Sequence, residues 1–249
     1  MLFFRFLGGL FVGIDCFSLR SLRRVDGLFD FGLLRLFASG SADGGTGPLG
    51  LRVDLVSLTM AFLVSFTGWI VMRYSRTYLD GEDREGAFHR LMLTSLAAVL
   101  VFVQSGSVWL LTIATIAVGL GLKRLLLFYP GRPEARRAAT KFALVWHVGD
   151  VALILAALTL ASAFGTGDLE AVSAAAAGTG VGLAGHVAVV LIVVAAILKT
   201  ACFPVHGWLT EVMEAPTPVS ALLHAGIINS GGVLLIKAAG LVQMSPGAM

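Results

Sequence analysis

Long apolar runs, separated by short polar segments, make up most of the sequence after residue 52. A helix needs roughly 20 mainly apolar residues to cross a membrane. The pattern therefore predicts six membrane-spanning helices, at about 53–72, 89–106, 107–128, 141–163, 183–209 and 217–243. The second and third runs are joined by VFVQSGSVW, which predicts a tight hairpin at Gln104–Ser107.

Two segments lack this apolar pattern. Residues 1–52 contain scattered arginines and the Gly-rich stretch SGSADGGTGPLG, and we interpret them as a poorly defined N-terminal segment followed by a flexible loop. Residues 165–185, GTGDLEAVSAAAAGTGVGLAG, are small and polar and predict a second loop. The transmembrane domain is therefore expected to cover residues 53–249.

Composition and charge agree with a membrane protein. The chain of 249 residues is 57% AVILMFWYC and 13% charged, whereas soluble proteins have about 25% charged residues. The net charge of +3 does not indicate a nucleic-acid partner, because the basic residues cluster between apolar runs. The sequence thus predicts an all-α polytopic membrane protein embedded in the lipid bilayer.

The basic residues also predict an orientation. Lys and Arg are frequent in segments 73–90 and 123–141 and absent from segment 163–186. Cytoplasmic connections carry an excess of Lys and Arg, so the first two segments are predicted to be cytoplasmic and the third external. Lys123 and Arg124 are interpreted as a basic anchor at a cytoplasmic helix end.

Motifs for cofactor chemistry are missing from the sequence. Cys16 and Cys202 form neither a disulfide framework nor a metal-binding pair. The sequence contains no Walker loop, no GxGxxG motif after a strand and no nucleophile elbow. We therefore expect no cofactor, no metal and no catalytic site, and any energy must come from an ion gradient or a partner protein.

A lysine interrupts the apolar run VVLIVVAAILKTACFPVHGWL, residues 189–209. A charge at the centre of a bilayer costs roughly 2.5–3.5 kcal/mol on insertion scales, so such residues usually face a polar interior and serve function. Desolvated lysines release protons readily, which makes Lys199 a candidate proton carrier. The alternative is a lysine that joins helices through a structural ion pair.

Breaks in the last two spans accompany this charge. Pro204 removes a helix hydrogen bond, and a broken helix at membrane depth is tolerated where it lines a polar cavity. In the next span, Asn229, Gly231 and Gly232 interrupt the apolar run and are predicted helix breaks. His224, which precedes them, is either a buried structural histidine or a second proton carrier.

An acidic residue in an earlier span supplies a candidate partner. Asp150, in the run WHVGDVALIL, can pair with Lys199, Lys141 or His147. A purely structural ion pair is an equal alternative for this aspartate. Lys237 lies near the far end of its span, where a lysine can extend its charged end to the membrane surface.

The run KTACFPVHGWLTEVMEAPTPVSALLHAG resembles the signature of the antiporter-like membrane subunits of respiratory complex I and of Mrp cation antiporters. The resemblance covers about residues 53–243. It implies an ion pathway through broken helices, to which we assign Lys199, His224, Asp150 and His206. It also implies that the chain is the first of two inverted repeats, as in a truncated or split protein.

One difference from the complex I subunits indicates which group within this family the chain resembles most. Complex I subunits place a glutamate in the span equivalent to VWLLTIATIAVGLGLKRLLLFYP, and this stretch has no acidic residue. Its LKRLLLFYP ending and HGWLTEVMEAPTPVSALLHAGIINSGG are most similar to the DabB group, membrane subunits of bacterial inorganic-carbon accumulation systems. That resemblance implies a zinc-containing, carbonic-anhydrase-like DabA partner and a bacterial inner-membrane location.

The resemblance therefore implies a membrane subunit that moves protons, or sodium ions, to drive CO2 and bicarbonate accumulation. One alternative is a proton-translocating subunit of complex I or of an Mrp antiporter. The other alternative is a membrane anchor that binds a soluble partner and conducts no ion. A separate polypeptide carrying the second repeat is a further expected partner.

Overall fold

The computed structural model describes residues 50–129, 131–203, 205–211 and 215–245. Most of the predicted N-terminal segment, and Pro204, therefore lie outside the described residues. The described part is helical, with α1 (Leu55–Tyr78), α2 (Glu85–Gln104), α3 (Val108–Leu126), α4 (Pro133–Phe164), α5 (Leu169–Thr179), α6 (Gly182–Lys199), α7 (Gly207–Glu211), α8 (Thr217–Ala225), a 3₁₀ turn (Ile227–Asn229), α9 (Ser230–Lys237) and α10 (Ala239–Gln243).

The prediction of six spans is confirmed. Six segments of the described chain are long and apolar enough to cross a membrane: α1, α2, α3, α4, α6 and the stretch Thr217–Lys237. The predicted hairpin is also confirmed, because α2 ends at Gln104 and Ser107 caps the start of α3 by accepting from the Trp109 N–H. The chain is thus a multi-pass all-α membrane protein.

The prediction of a loop at 165–185 is wrong, because α5 occupies the middle of that segment. Asp168 starts the helix, and its Oδ1 accepts hydrogen bonds from the N–H groups of Glu170 and Ala171 at 2.9 and 3.2 Å. Alanine has the highest helix propensity of all residues, and this helix contains an AAAA run. Small side chains in this segment therefore favour a helix and not a loop.

The two final spans are broken, as predicted, although not at every predicted residue. α6 ends at Lys199, and the chain turns through Ala201, a non-glycine residue at φ 53°, before α7 begins. The second break lies at Gly226 and the 3₁₀ turn that ends at Asn229. Gly231 and Gly232 were predicted to break the helix, which is wrong, because both lie inside α9.

Close packing explains the glycine at 231. A Cβ atom built on Gly231 would lie 1.9 Å from the Thr200 Oγ1 and 2.2 Å from the Ala196 carbonyl oxygen. These distances leave no room for a side chain, so the backbone of α9 lies directly against the end of α6. This contact fixes the last span beside the helix that ends at Lys199.

Connections meet at both ends of the bundle. At one end, the Arg84 guanidinium donates to the Phe128 carbonyl, which joins the α1–α2 and α3–α4 connections. At the other end, the Gly106 N–H donates to the Gly50 carbonyl at 2.6 Å and the Val108 N–H donates to the Gly167 carbonyl at 2.8 Å. The two basic connections therefore share one end, as the charge pattern predicts; which side of the membrane that end faces stays a prediction.

Candidate functional site

The site is built around Lys199, the last residue of α6. Its side chain is only 1% exposed, and its Nζ donates a hydrogen bond to the Asp150 Oδ1 at 2.7 Å. The carbonyl end of a helix carries a partial negative charge, so the position at the end of α6 also favours a cation. The lysine predicted to be intramembrane therefore has a carboxylate partner on a different helix, α4.

Asp150 has a second partner on its own helix. The carboxylate is buried, and its Oδ2 lies 3.3 Å from the His147 Nδ1, three residues earlier on α4. Lys199 and His147 are thus two of the partners expected for Asp150, and one carboxylate contacts both. The His147 side chain is 48% exposed, so it links the buried pair to the surface of the described chain.

Trp146 completes the surroundings of the lysine. The Lys199 Nζ lies 4.2 Å from the centroid of the Trp146 ring, within the range of a cation–π interaction. The indole Nε1–H donates to the Thr115 carbonyl on α3 at 3.2 Å. One tryptophan therefore touches the charge on α6 and is anchored to α3.

Two glycines allow these helices to approach. A Cβ atom on Gly119 of α3 would lie 2.3 Å from the Trp146 ring, so the indole lies on bare backbone. A Cβ atom on Gly149 would lie 3.3 Å from the Lys199 Cε, so the lysine stem packs tightly on α4. The sequence thus places small residues where the tryptophan and the lysine cross neighbouring helices.

The free-energy cost of an unpaired buried charge limits how a proton can leave this site. Desolvating two charges costs several kcal/mol per ion in proteins, and their attraction offsets this only with good geometry. Removing one partner of such a pair costs about 3–5 kcal/mol, because a lone charge is left buried. A proton can leave Lys199 cheaply only if Asp150 keeps another positive partner, and His147 lies within reach to provide it.

The remaining predicted site residues lie apart from this pair. His206 is exposed, and its ring stacks on Phe203 with the centroids 5.6 Å apart. His224 lies in the last turn of α8 and is also exposed. Among the described contacts, neither histidine is hydrogen-bonded to Lys199. Lys123 and Arg124 lie in the last turn of α3, at the end where the basic connections meet.

Sequence reasoning missed Trp146 altogether. It lies four residues before Asp150, and residues four apart on a helix share a face. A tryptophan on the same face as an intramembrane aspartate was therefore a usable signal. In the part of the chain described here, no group of three or more His, Cys, Asp or Glu side chains is arranged to hold a metal ion.

Comparison with protein families gives two matches. Residues 105–249 match the model described as NADH:quinone oxidoreductase/Mrp antiporter, transmembrane. Residues 43–89 match the model for the N-terminus of chain 5 of NADH-ubiquinone oxidoreductase (complex I). The first match alone covers more than half of the chain and includes Asp150 and Lys199.

Individual relatives agree with these families. The "Probable inorganic carbon transporter subunit DabB2" of Halothiobacillus neapolitanus is 41% identical over 94% of this chain and 43% of its own length. The "NADH-quinone oxidoreductase subunit L" of Mycobacterium tuberculosis is 31% identical over 95% of this chain and 37% of its own length. The chain therefore spans less than half the length of these curated relatives.

A solved structure shares the fold. In the structure of the Mrp complex from Dietzia sp. DQ12-45-1b, one chain matches with a TM-score of 0.72 and 28% sequence identity. The match covers 79% of this chain and 22% of that one.

Proposed function

This chain belongs to the family of NADH:quinone oxidoreductase and Mrp antiporter membrane subunits, and we propose that it moves protons through the Lys199–Asp150 pair. The proton movement, or a movement of sodium ions, drives accumulation of inorganic carbon in the manner of a DabB subunit. The location is the bacterial inner membrane. The partner is a DabA-like, zinc-containing protein that hydrates CO2.

The observation that carries this proposal is the buried lysine paired with a carboxylate on another helix, at 2.7 Å and at the end of a broken span. Ionisable groups inside a membrane are costly, and they typically mark ion pathways. A lysine at a helix end beside a break can reach water without crossing the whole helix. These features suit a residue that binds and releases a proton.

The shared carboxylate suggests how release occurs. A proton that arrives on the neutral His147 ring makes an imidazolium, which pairs with the Asp150 Oδ2. Lys199 then loses one proton and becomes a neutral amine, while Asp150 keeps a positive partner. Transfer of the proton from His147 back toward Lys199 restores the first state. One proton enters and one leaves, and the carboxylate is never left unpaired.

Two observations favour the carbon-accumulation reading within the family. The relative at 41% identity is named as an inorganic carbon transporter subunit. In addition, α3 contains no Asp or Glu, so the pairing of Lys199 falls to Asp150 of α4. The remaining length of the relatives, on this polypeptide or on a separate one, would supply the rest of the ion pathway.

A second candidate is a proton-translocating subunit of a respiratory or Mrp assembly. It is favoured by the 31% identity to NADH-quinone oxidoreductase subunit L and by the fold shared with a chain of an Mrp complex. A non-conducting membrane anchor is the third candidate. The experiment below distinguishes these three candidate functions.

The test uses Lys199→Arg, made in the full set of genes and expressed in a host that lacks carbonic anhydrase. Arginine keeps the charge but does not release its proton in proteins. We expect normal membrane levels, loss of growth in ambient air and loss of proton movement in vesicles monitored with a pH-sensitive dye. Lys123→Arg, at a helix end far from the pair in sequence, is the matched control and should retain both activities.

The possible outcomes discriminate the candidates. An active Lys199→Arg variant at a normal level contradicts a proton-carrying role for this lysine. Proton movement by the wild type without rescue of growth favours the respiratory or Mrp candidate. Rescue of growth without any ion movement in vesicles favours the anchor.

A further inference from the structure

A cavity of about 240 Å³ lies between α1, α2, α3, α4 and the broken last span. Its walls are mostly apolar, including Met60, Val99 and Phe102, but Asn229 and Ser230 also line it. The Ser230 hydroxyl is buried and has no hydrogen-bond partner among the described residues. Buried hydroxyl groups of this kind are typically satisfied by water, so this wall favours the entry of water.

A second cavity of about 200 Å³ continues this space to the end of the bundle. The two cavities share four lining residues, namely Met60, Val103, Val233 and Ile236. The outer cavity is polar, because Arg52, Asp54 and Lys237 line it. Arg52 and Asp54 have side chains that are 31% and 41% exposed, so this cavity reaches the surface.

Trp146 stands where the inner cavity ends. Its ring lines the cavity and also lies 4.2 Å from the Lys199 Nζ, whereas Lys199 itself does not line the cavity. The ring is held by the Nε1–H hydrogen bond to the Thr115 carbonyl and by Phe142, whose ring centroid is 5.1 Å away. A large, firmly held side chain therefore separates the lysine from the space that leads to Lys237.

We propose that Trp146 is a gate between Lys199 and a water route that runs past Ser230 to the mouth formed by Arg52, Asp54 and Lys237. Hydrophobic constrictions gate conduction by excluding water. The inference rests on the proposed proton movement and adds a barrier to it. By the positive-inside pattern, the mouth faces the exterior, since it lies at the end opposite the basic connections.

The contact with Lys199 couples this gate to the charge. A cation over the face of an indole is attracted by the ring, and a neutral amine lacks this attraction. Protonated Lys199 therefore helps to hold Trp146 in the closed position. Loss of the proton removes this attraction, and the ring can then move and admit water to the lysine from the cavity side.

The first experiment measures the leak of protons across the vesicle membrane. In vesicles that contain the complete complex, Trp146→Ala should speed the decay of an imposed pH gradient relative to the wild type. Trp208→Ala is the matched control: Trp208 is also buried and its ring also lies 5.1 Å from that of Phe142, yet it does not line the cavity. A Trp146→Ala variant that reaches the membrane and does not leak overturns the proposal.

A second variant tests the route. Val233 lines both cavities, so Val233→Trp in the Trp146→Ala background should fill the passage and abolish the leak. A leak that persists in the double variant, at an equal protein level, shows that protons take another path and overturns the route through Ser230.

A third measurement does not require any change at Trp146. In a chain with Cys16 and Cys202 replaced by Ser, Ser230→Cys should react with a membrane-impermeant thiol reagent applied from the side of Lys237. Ser95→Cys, at a buried position that lines neither cavity, should remain unmodified. An unreactive Ser230→Cys overturns the proposal, whatever the stability of the tryptophan variants.

The outcomes also separate this inference from the proposed function. If Lys199→Arg retains transport while Trp146→Ala leaks, the proton-carrying role of the lysine fails and the water barrier stands. If Lys199→Arg loses transport while Trp146→Ala vesicles do not leak protons, the proposed function stands and the proposal of a Trp146 gate is refuted.

Discussion

Two lysines at the ends of apolar helices have contrasting surroundings. Lys199 is 1% exposed and its Nζ binds a carboxylate oxygen of α4 at 2.7 Å. Lys237 is partly buried and its Nζ donates to the Ser105 backbone carbonyl, also at 2.7 Å. The first lysine thus has an ionisable partner in the interior, whereas the second is tied to a fixed backbone dipole beside a polar, surface-reaching cavity.

The comparison shows which kind of lysine can act as a switch. A carboxylate shared between a lysine and a histidine can change its pairing when a proton moves, because both side chains contact the same negative charge. A backbone carbonyl cannot titrate, so the bond from Lys237 to Ser105 holds the helix ends together in every protonation state. Under the proposed function, we therefore expect Lys199 to take part in ion movement and Lys237 to serve structure.

Breaking the interior pair should give the largest effect. Asp150→Asn leaves Lys199 buried without its counter-charge, and we expect a destabilisation of about 3–5 kcal/mol. The measurement is the unfolding temperature of the purified complex, together with the membrane level and the growth assay. Transport should be lost completely.

A double variant sharpens this result. Asp150→Asn combined with Lys199→Met removes both charges, so much of the stability should return while transport stays absent. If the double variant is as unstable as Asp150→Asn alone, an unpaired charge was not the cause of the instability.

Breaking the outer lysine contact should have a smaller effect. Lys237→Met removes a hydrogen bond from a charged group, which is worth about 1.5–3 kcal/mol, and leaves the Ser105 carbonyl to water. We expect a lower unfolding temperature with transport retained in part. Lys237→Arg keeps a cation at this position and is the control; a complete loss of transport in Lys237→Met at normal level would make the two lysines equivalent.

The smallest effect is expected at Asp54, beside Lys237. Asp54 caps α1, and its Oδ1 accepts from the Ser57 N–H at 2.6 Å. Burial by itself raises the pKa of the Asp54 carboxyl, but the hydrogen bonds from Ser57 and the charges of Lys237 and Arg52 hold that pKa below 3.8. Asp54→Ala should therefore cost about 0.5–2 kcal/mol, the usual value of a helix cap.

The lowered pKa of Asp54 also predicts how its contribution to stability changes with pH. A carboxyl whose pKa is lower in the folded state stabilises that state above its ordinary pKa, and the contribution is lost as the pH falls through the folded value. The difference in unfolding temperature between wild type and Asp54→Ala should thus be full at neutral pH and shrink in acid. A difference that grows in acid contradicts the assignment of charge at this cap.

The sequence predicted the membrane helices because length and apolarity decide that class of element. It missed α5 because alanine is small and was interpreted as loop-like, although its helix propensity outweighs its size. Asp150 was named as a partner of Lys199 because both are charged in apolar runs. Trp146 was missed because only the packing of α3, α4 and α6 places its ring against the lysine. The sequence also could not show that His224 is exposed at the end of α8, apart from Lys199.

The backbone contacts at the end of the bundle opposite the basic connections have a consequence for biosynthesis. The Gly50 carbonyl accepts from Gly106, and the Gly106 carbonyl accepts from Leu169 at 3.1 Å. A ribosome makes these residues in order, so the Gly50 carbonyl must wait until α1 and α2 are made, and the Gly106 carbonyl must wait until α3 and α4 are made, before each finds its partner. Until Leu169 emerges, the inserted helices are an open intermediate, which is the form that insertion factors and membrane proteases would meet.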